Sequence, residues 1–568
     1  MRWSPYALLL GVALAARMHG LDFGLPLWSN FYIRPDETLL VVPAAEFFTR
    51  AGDPGHLCYP ALMITLLAAL FHACHTVWPG AEPSLLADFS ADPSRYFLIA
   101  RAFSAACGTA LTLLIYRLAR TWTKPVPALV AALWYAVAPL AAREAHFAVT
   151  DTLLSLLVAA SVWAALRWLA DPDRACAALG CGMLVGLAAA TKYNAGLLIP
   201  TLAGIALVLP THQRPGRRLR TLTVFLAAAA MVFLALNPYL VMRASVFLDW
   251  LRVLAQGVYG EKANLSSSAA SWQHLSPGIA LLSFTPGSWI GLAAAGLGAA
   301  VLLIRHGRDR ATWVVLGTVA AWGAMLIPAH YLPFRYLLPL LPLLAVLAAI
   351  GLHALNRPGL VLLAALAGLA LTAPATLRTN RSLAREDTRS EAGRWIREHI
   401  PASAPIIWLG EPEAEPQVTE SAASLARRMR YAEQRYGEQN ARVINRIYQL
   451  MAKAPAARAP TAHEIHRNPP VSLVTTGPVW VVHAEYPPPM LRTDPSLLKA
   501  WTHGREVQRV VFGSLPDEHV RLDPVDAFFL PLPPRHVAPP GPRLTIQLIE
   551  RAADAPAQPP KIFPPPPV

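Results

Sequence analysis

The recurrence of apolar runs long enough to cross a bilayer constrains this chain more than any other feature. A spanning helix needs about 20 such residues. Eleven stretches approach or meet that length, at 5–21, 95–118, 126–141, 150–168, 175–191, 194–210, 221–240, 277–304, 312–328, 335–352 and 358–376. In lipid the backbone must satisfy its own polar groups, so runs of this kind fold as helices. Of the 568 residues, 54% are hydrophobic and 15% charged, whereas a soluble domain carries roughly 25% charged residues. The expected fold is an α-helical polytopic membrane protein.

A further apolar stretch, 59–78, decides the topology. If it stays out of the membrane, the basic loops Arg117–Lys124, Arg167–Arg174, His212–Arg220 and Arg305–Arg310 share one face, which the positive-inside rule makes cytoplasmic. If it crosses, those clusters face outward. The stretch is therefore expected to lie along the membrane surface, with His72 and His75, inside a long first external loop. The net charge of +14 then reports orientation and gives no reason to expect a nucleic-acid partner. Cys58, Cys74, Cys107, Cys176 and Cys181 contain no CxxC pair, and none falls in the last two thirds of the chain, so neither a metal knuckle nor a disulfide framework is expected there. Pro5–Ala16 is followed by no small-residue cleavage site and reads as an uncleaved first span.

On that topology the external loops and span ends carry Asp36, Glu37, Arg143, Glu144, His146, Asp151, Lys192, Tyr193, Asn194, His330 and Arg335. Ionisable groups gathered at one face from distant segments suit a membrane active site. Each has a plainer reading alone. Pro35-Asp36-Glu37 is also a good helix start, Asp151 a good helix cap after Thr150, and Lys192 a lysine snorkelling to the interface. A rival class, a transporter or flippase of a lipid-linked substrate, would favour repeated halves and mid-membrane charges; the chain shows no internal repeat.

Beyond about Leu377 the character changes. Thr388–Ile400 reads as an amphipathic helix, Glu420–Met451 as one long polar helix, and Ile406–Leu409, Val479–His483, Val507–Phe512 and Leu544–Glu550 as strands. The expected organisation is a transmembrane catalytic domain over 1–376 with its first external loop at 22–94, an extracytoplasmic α/β domain over 377–554, and a proline-rich tail over 555–568.

A set of motifs runs in order along the chain: Arg34-Pro35-Asp36-Glu37, Asp53-Pro54, Tyr59-Pro60-Ala61-Leu62, Arg143-Glu144-Ala145-His146 with Thr150-Asp151, Thr191-Lys192-Tyr193-Asn194, Phe334-Arg335-Tyr336-Leu337-Leu338-Pro339 and Asp387-Thr388-Arg389. Their order resembles the GT-C glycosyltransferases of the dolichyl-phosphate-mannose–protein mannosyltransferase type, which include bacterial lipid A aminoarabinose transferases. The resemblance covers about residues 5–400 and implies the GT-C fold. It also implies inverting transfer of a sugar from a polyprenyl-phosphate donor to a lipid, glycan or protein acceptor outside the bacterial inner membrane.

Carried onto matching positions, the resemblance makes Asp36 the candidate general base with Glu37 beside it. Lys192, Arg335 and His330 become candidate contacts to the donor phosphate, and Glu144, Asp151 and His146 a second acidic site. A divalent cation, Mg²⁺ or Mn²⁺, on Asp36 and Asp151 is left open. Eukaryotic protein mannosyltransferases carry His-Pro-Pro-Leu-Gly-Lys at the surface helix where this chain reads Leu57-Cys58-Tyr59-Pro60-Ala61-Leu62. That departure favours a bacterial branch with its own acceptor.

Overall fold

The computed structural model of the chain describes residues 4–27, 34–171, 174–209, 215–259, 286–326, 333–410, 414–436, 438–453, 455–469, 477–485, 494–514 and 540–550. They form two compact units. One comprises Met1–His19, Leu57–Leu66 and Ala100–Asn380; the other comprises Gly20–His56, Leu67–Ile99 and Arg381–Val568.

All eleven expected segments contain a helix, and so does the stretch 59–78, as Leu62–Val77. Among the described residues, five helices are long and apolar enough to cross a membrane by length and composition, and seven more are shorter and apolar. The short ones have local causes. The helix Pro125–Ala136 stops before Pro139, whose ring starts the brief Pro139–Glu144 helix. The carbonyls freed by this break still need donors. Arg17 Nη1 donates to Ala136 O at 3.1 Å, and Thr376 Oγ1 donates to Val137 O at 2.6 Å.

The first unit is assembled by close backbone approach. Gly182 and Gly186 lie one turn apart on the helix Ala175–Thr191, against Pro215–Leu236; a Cβ on Gly186 would sit 2.6 Å from Ala229 O. Small residues at this spacing let spanning helices meet where lipid supplies no hydrophobic drive between them. Gly298 on Pro286–His306 and Gly351 on Leu340–Ala354 do the same, each facing backbone of the other helix.

The second unit holds a five-stranded sheet of β1 (Ile406–Leu409), β2 (Ile465–Arg467), β3 (Pro478–Glu485), β4 (Arg505–Phe512) and β5 (Arg543–Glu550), in the order β2-β1-β3-β5-β4. β1 runs parallel to β2 and β3, while β5 is antiparallel to β3 and β4. Ile407, Leu409, Val479, Val481 and Ile549 pack with Leu497 and Trp501 into its core. The single long helix expected over Glu420–Met451 is instead two helices packed against each other, Ala422–Tyr436 and Glu438–Lys453. Asn445 Nδ2 ties the pair together by donating to Glu433 Oε1 at 2.8 Å.

Two buried ionic arrangements brace this unit. Arg428 and Arg467 both reach Glu415 and Glu420, with Arg428 at 2.7 and 2.6 Å and Arg467 Nη2 at 2.5 and 2.7 Å. All four side chains are sealed from solvent, and the two positive and two negative charges balance. In the Asp387-Thr388-Arg389 motif, Arg389 donates to both Asp387 oxygens at 2.7 and 2.6 Å, and Thr388 Oγ1 donates to Pro542 O at 2.8 Å. That motif ties the helix Thr388–His399 to the start of β5, which is a structural task.

Candidate active site

In the second unit, the helix Pro35–Glu46 opens with proline at its first position and both acids in its first turn. The helix-start reading of this motif is therefore correct, and it is compatible with a chemical one. Adjacent helical residues point about 100° apart. Glu37 is buried, with Arg34 and Thr38, while Asp36 is partly exposed.

In the first unit the helix Thr150–Ala170 is preceded by Val149, which makes no side-chain cap bond. Asp151 lies in the first turn, but its carboxylate is occupied elsewhere. Lys192 Nζ donates to Oδ1 at 2.8 Å, and Arg335 Nε lies 3.9 Å from Oδ2. All three are largely withdrawn from solvent, with side-chain exposures of 3%, 12% and 7% for Asp151, Lys192 and Arg335. The lysine is thus held in place by a carboxylate. It also lies 4.3 Å from the ring centroid of Tyr336, a favourable cation–π placement, and Trp322 Nε1 fixes that tyrosine's backbone by donating to its carbonyl at 3.1 Å.

Local structure explains the convergence. Lys192 ends the helix Ala175–Thr191, where a cation is favoured by the helix dipole, and a 3-10 turn, Tyr193–Leu197, follows it. Arg335 and Tyr336 sit on another 3-10 turn, Phe334–Leu337. Tyr193 has a structural role: its hydroxyl donates to Leu57 O at 3.0 Å, and Asn237 Oδ1 accepts from Ala61 N at 2.8 Å.

Arg143, Glu144 and His146 are fully buried. Arg143 Nε donates to Glu144 Oε1 at 2.8 Å. The His146 ring lies between two carbonyls, with Nδ1 2.8 Å from Ala142 O and Nε2 3.0 Å from His19 O. Burial, with lesser help from the positive charges of Arg17 and Arg101, lowers its pKa to about 4. A neutral ring donates through only one nitrogen. His146 therefore donates to one of these two carbonyls, at the end of the first helix or in the turn before Asp151. His330 lies outside the described residues. No group of three or more His, Cys, Asp or Glu side chains that could hold a metal occurs among the described residues. Tyr336 was missed in the sequence; an aromatic beside a candidate arginine was the available signal.

Residues 96–242 match the family model described as dolichyl-phosphate-mannose-protein mannosyltransferase. No curated protein sequence matches the chain. Among solved structures, ArnT from Cupriavidus metallidurans bound to undecaprenyl phosphate aligns over 97% of this chain and 99% of that one, at 14% identity and a TM-score of 0.53. The archaeal oligosaccharyltransferase AglB from Archaeoglobus fulgidus, in complex with an inhibitory peptide and a dolichol-phosphate, aligns over 84% and 69%, at 11% identity and a TM-score of 0.47. The Saccharomyces cerevisiae protein O-mannosyltransferase Pmt1-Pmt2 complex bound to the sugar donor aligns over 47% of this chain and 36% of that chain, at 17% identity and a TM-score of 0.31.

The end-to-end alignment with ArnT shows that the chain shares the GT-C fold of that structure, and residues 96–242 carry the segment that the mannosyltransferase family model describes. Both likenesses fall where the order of its motifs led one to expect.

Proposed function

We propose that this enzyme transfers a sugar from a polyprenyl-phosphate carrier to an acceptor hydroxyl on the extracytoplasmic side of a bacterial inner membrane, with inversion at the anomeric carbon. The observation that carries the reading is the convergence of Lys192 and Arg335 on Asp151. Departure of a lipid phosphate builds negative charge, which preorganised cations in a water-poor site stabilise. Arginine adds a geometry suited to phosphate oxygens. Asp151 orients the two cations, and Tyr336 supports Lys192. Two cations already satisfy Asp151, so a divalent ion on that carboxylate would have to displace one of them.

Inversion needs one displacement and no covalent nucleophile. It does need a base for the acceptor proton, and Asp36 takes that role, with the buried Glu37 bracing the helix start. Glu144 and His146, sealed by their neighbours, act as framework for the loop that leads to Asp151. In this reading the region 1–376 is catalytic, 377–554 is an extracytoplasmic domain, and 555–568 is its proline-rich tail.

The test uses purified protein in lipid with a panel of radiolabelled polyprenyl-phosphate sugars and a membrane extract as acceptor. Label should pass from carrier to a new species with the native protein and not with Asp36→Asn, which should remain folded and inserted. Turnover retained by Asp36→Asn would remove Asp36 as the base. Carrier lipid crossing the bilayer without sugar transfer would replace the transferase reading with a flippase.

A further inference from the structure

The helix that carries Asp36 contains a proline in its interior. Pro43 has no N–H, so the carbonyl of Leu39, four residues earlier, loses its helical donor. Leu39 is half-buried, and a carbonyl withdrawn from water without a donor is costly. The structure supplies one from outside the helix: His56 Nε2 lies 2.7 Å from Leu39 O. A carbonyl only accepts, so Nε2 carries the proton in this bond. The helix stays continuous through Glu46, and Leu40, Val41, Val42, Ala44 and Ala45 around the proline are all buried.

The turn that delivers His56 is built for the purpose. Gly55 has φ +79°, and a Cβ there would lie 2.8 Å from the Arg50 guanidinium. Asp53 Oδ1 accepts from Gly55 N at 2.8 Å. Arg50 Nη1 in turn lies 3.4 Å from Glu46 Oε2, whose other oxygen accepts from Arg446 Nε at 3.0 Å. The turn Gly52-Asp53-Pro54-Gly55-His56 thus seats both a replacement donor at the proline and a cation at the end of the same helix.

We infer that His56 is a positioning residue for the reaction: by donating to Leu39 O it completes the hydrogen bonding that Pro43 interrupts, and so holds the first turn bearing Asp36 in its working orientation. The inference rests on Asp36 being the base. It explains why a histidine follows the glycine turn, and it gives His56 no contact with substrate.

The test exploits the cause of the defect. In Pro43→Ala the helix regains its own N–H at that position, so the need for His56 disappears. With the full-length protein in lipid and the labelled donor that supports native turnover, His56→Ala should lower kcat by about one to two orders of magnitude, the cost of small misplacement of a reacting group. KM for the donor should change little. Pro43→Ala/His56→Ala should recover to within about threefold of Pro43→Ala alone, since the two changes are coupled through one carbonyl. Hydrogen exchange over 40–50 should quicken in His56→Ala and slow again in the double variant.

Failure of Pro43→Ala to rescue, with a limb of the pH profile lost, would make His56 a chemical participant and overturn the inference. Unchanged exchange in His56→Ala would overturn the pin itself. If exchange quickens and kcat holds while Asp36→Asn is inactive, positioning falls and the base stands. If Asp36→Asn is active as well, the base reading has failed first.

Discussion

Replacing Asp151 by Asn removes a carboxylate that holds two largely buried cations. At an effective dielectric of about 20, unit charges at the observed 2.8 and 3.9 Å attract by roughly 6 and 4 kcal/mol. Lys192–Arg335 repulsion offsets part of this, and leaving buried charges unpaired typically costs about 3–5 kcal/mol. For a unit of this size that is a fall in Tm on the order of 10 °C. Because the cations also lose the group that aims them, kcat/KM should fall by about 10²–10³, the usual effect of removing a preorganised electrostatic contact. The assay pairs thermal unfolding in detergent with sugar transfer in lipid. Asp151→Asn/Lys192→Met removes the excess charge, so Tm should recover by more than half while transfer stays lost. A double variant as unstable as the single one, or a single variant of native Tm, would refute the reasoning that charge compensation organises this cluster.

Two further outcomes follow from buried groups. His146, with its pKa lowered to about 4 by burial, resists protonation in the folded state more than in the unfolded one, whose value is near 6.5. Its stabilising effect is whole above pH 6.5 and is lost as pH falls towards 4, by up to about 3 kcal/mol; His146→Gln should flatten that part of a Tm-against-pH curve. Glu420→Gln takes a buried carboxylate from Arg428 and Arg467, and should destabilise the sheet-bearing unit by about 3–5 kcal/mol, seen as early unfolding of that unit by limited proteolysis.

Much of the fold was legible in the sequence because lipid makes hydropathy a strict code. Runs of apolar residues had to be helical, and each of the eleven contains a helix. The strands of the terminal unit were legible for a related reason, since Ile406–Leu409 and Val479–His483 are short apolar runs between turn residues. The short strand Ile465–Arg467 was not, because three residues carry no period. The division of Glu420–Met451 into two helices was missed because helical periodicity continues through both.

The site divides along the same line. The residue types suited to lipid-phosphate chemistry, and their order, could be read along the chain, because a charge near a membrane is costly and its presence is informative. Which charges answer which could not. Asp151, Lys192 and Arg335 meet only because segments far apart in sequence come together in the first unit. His56 reads as an ordinary loop histidine until it is seen beside the carbonyl that Pro43 deprives of its donor. Local sequence determines where the backbone must hydrogen-bond with itself and where it cannot; only the tertiary structure decides which distant side chain makes up the deficit.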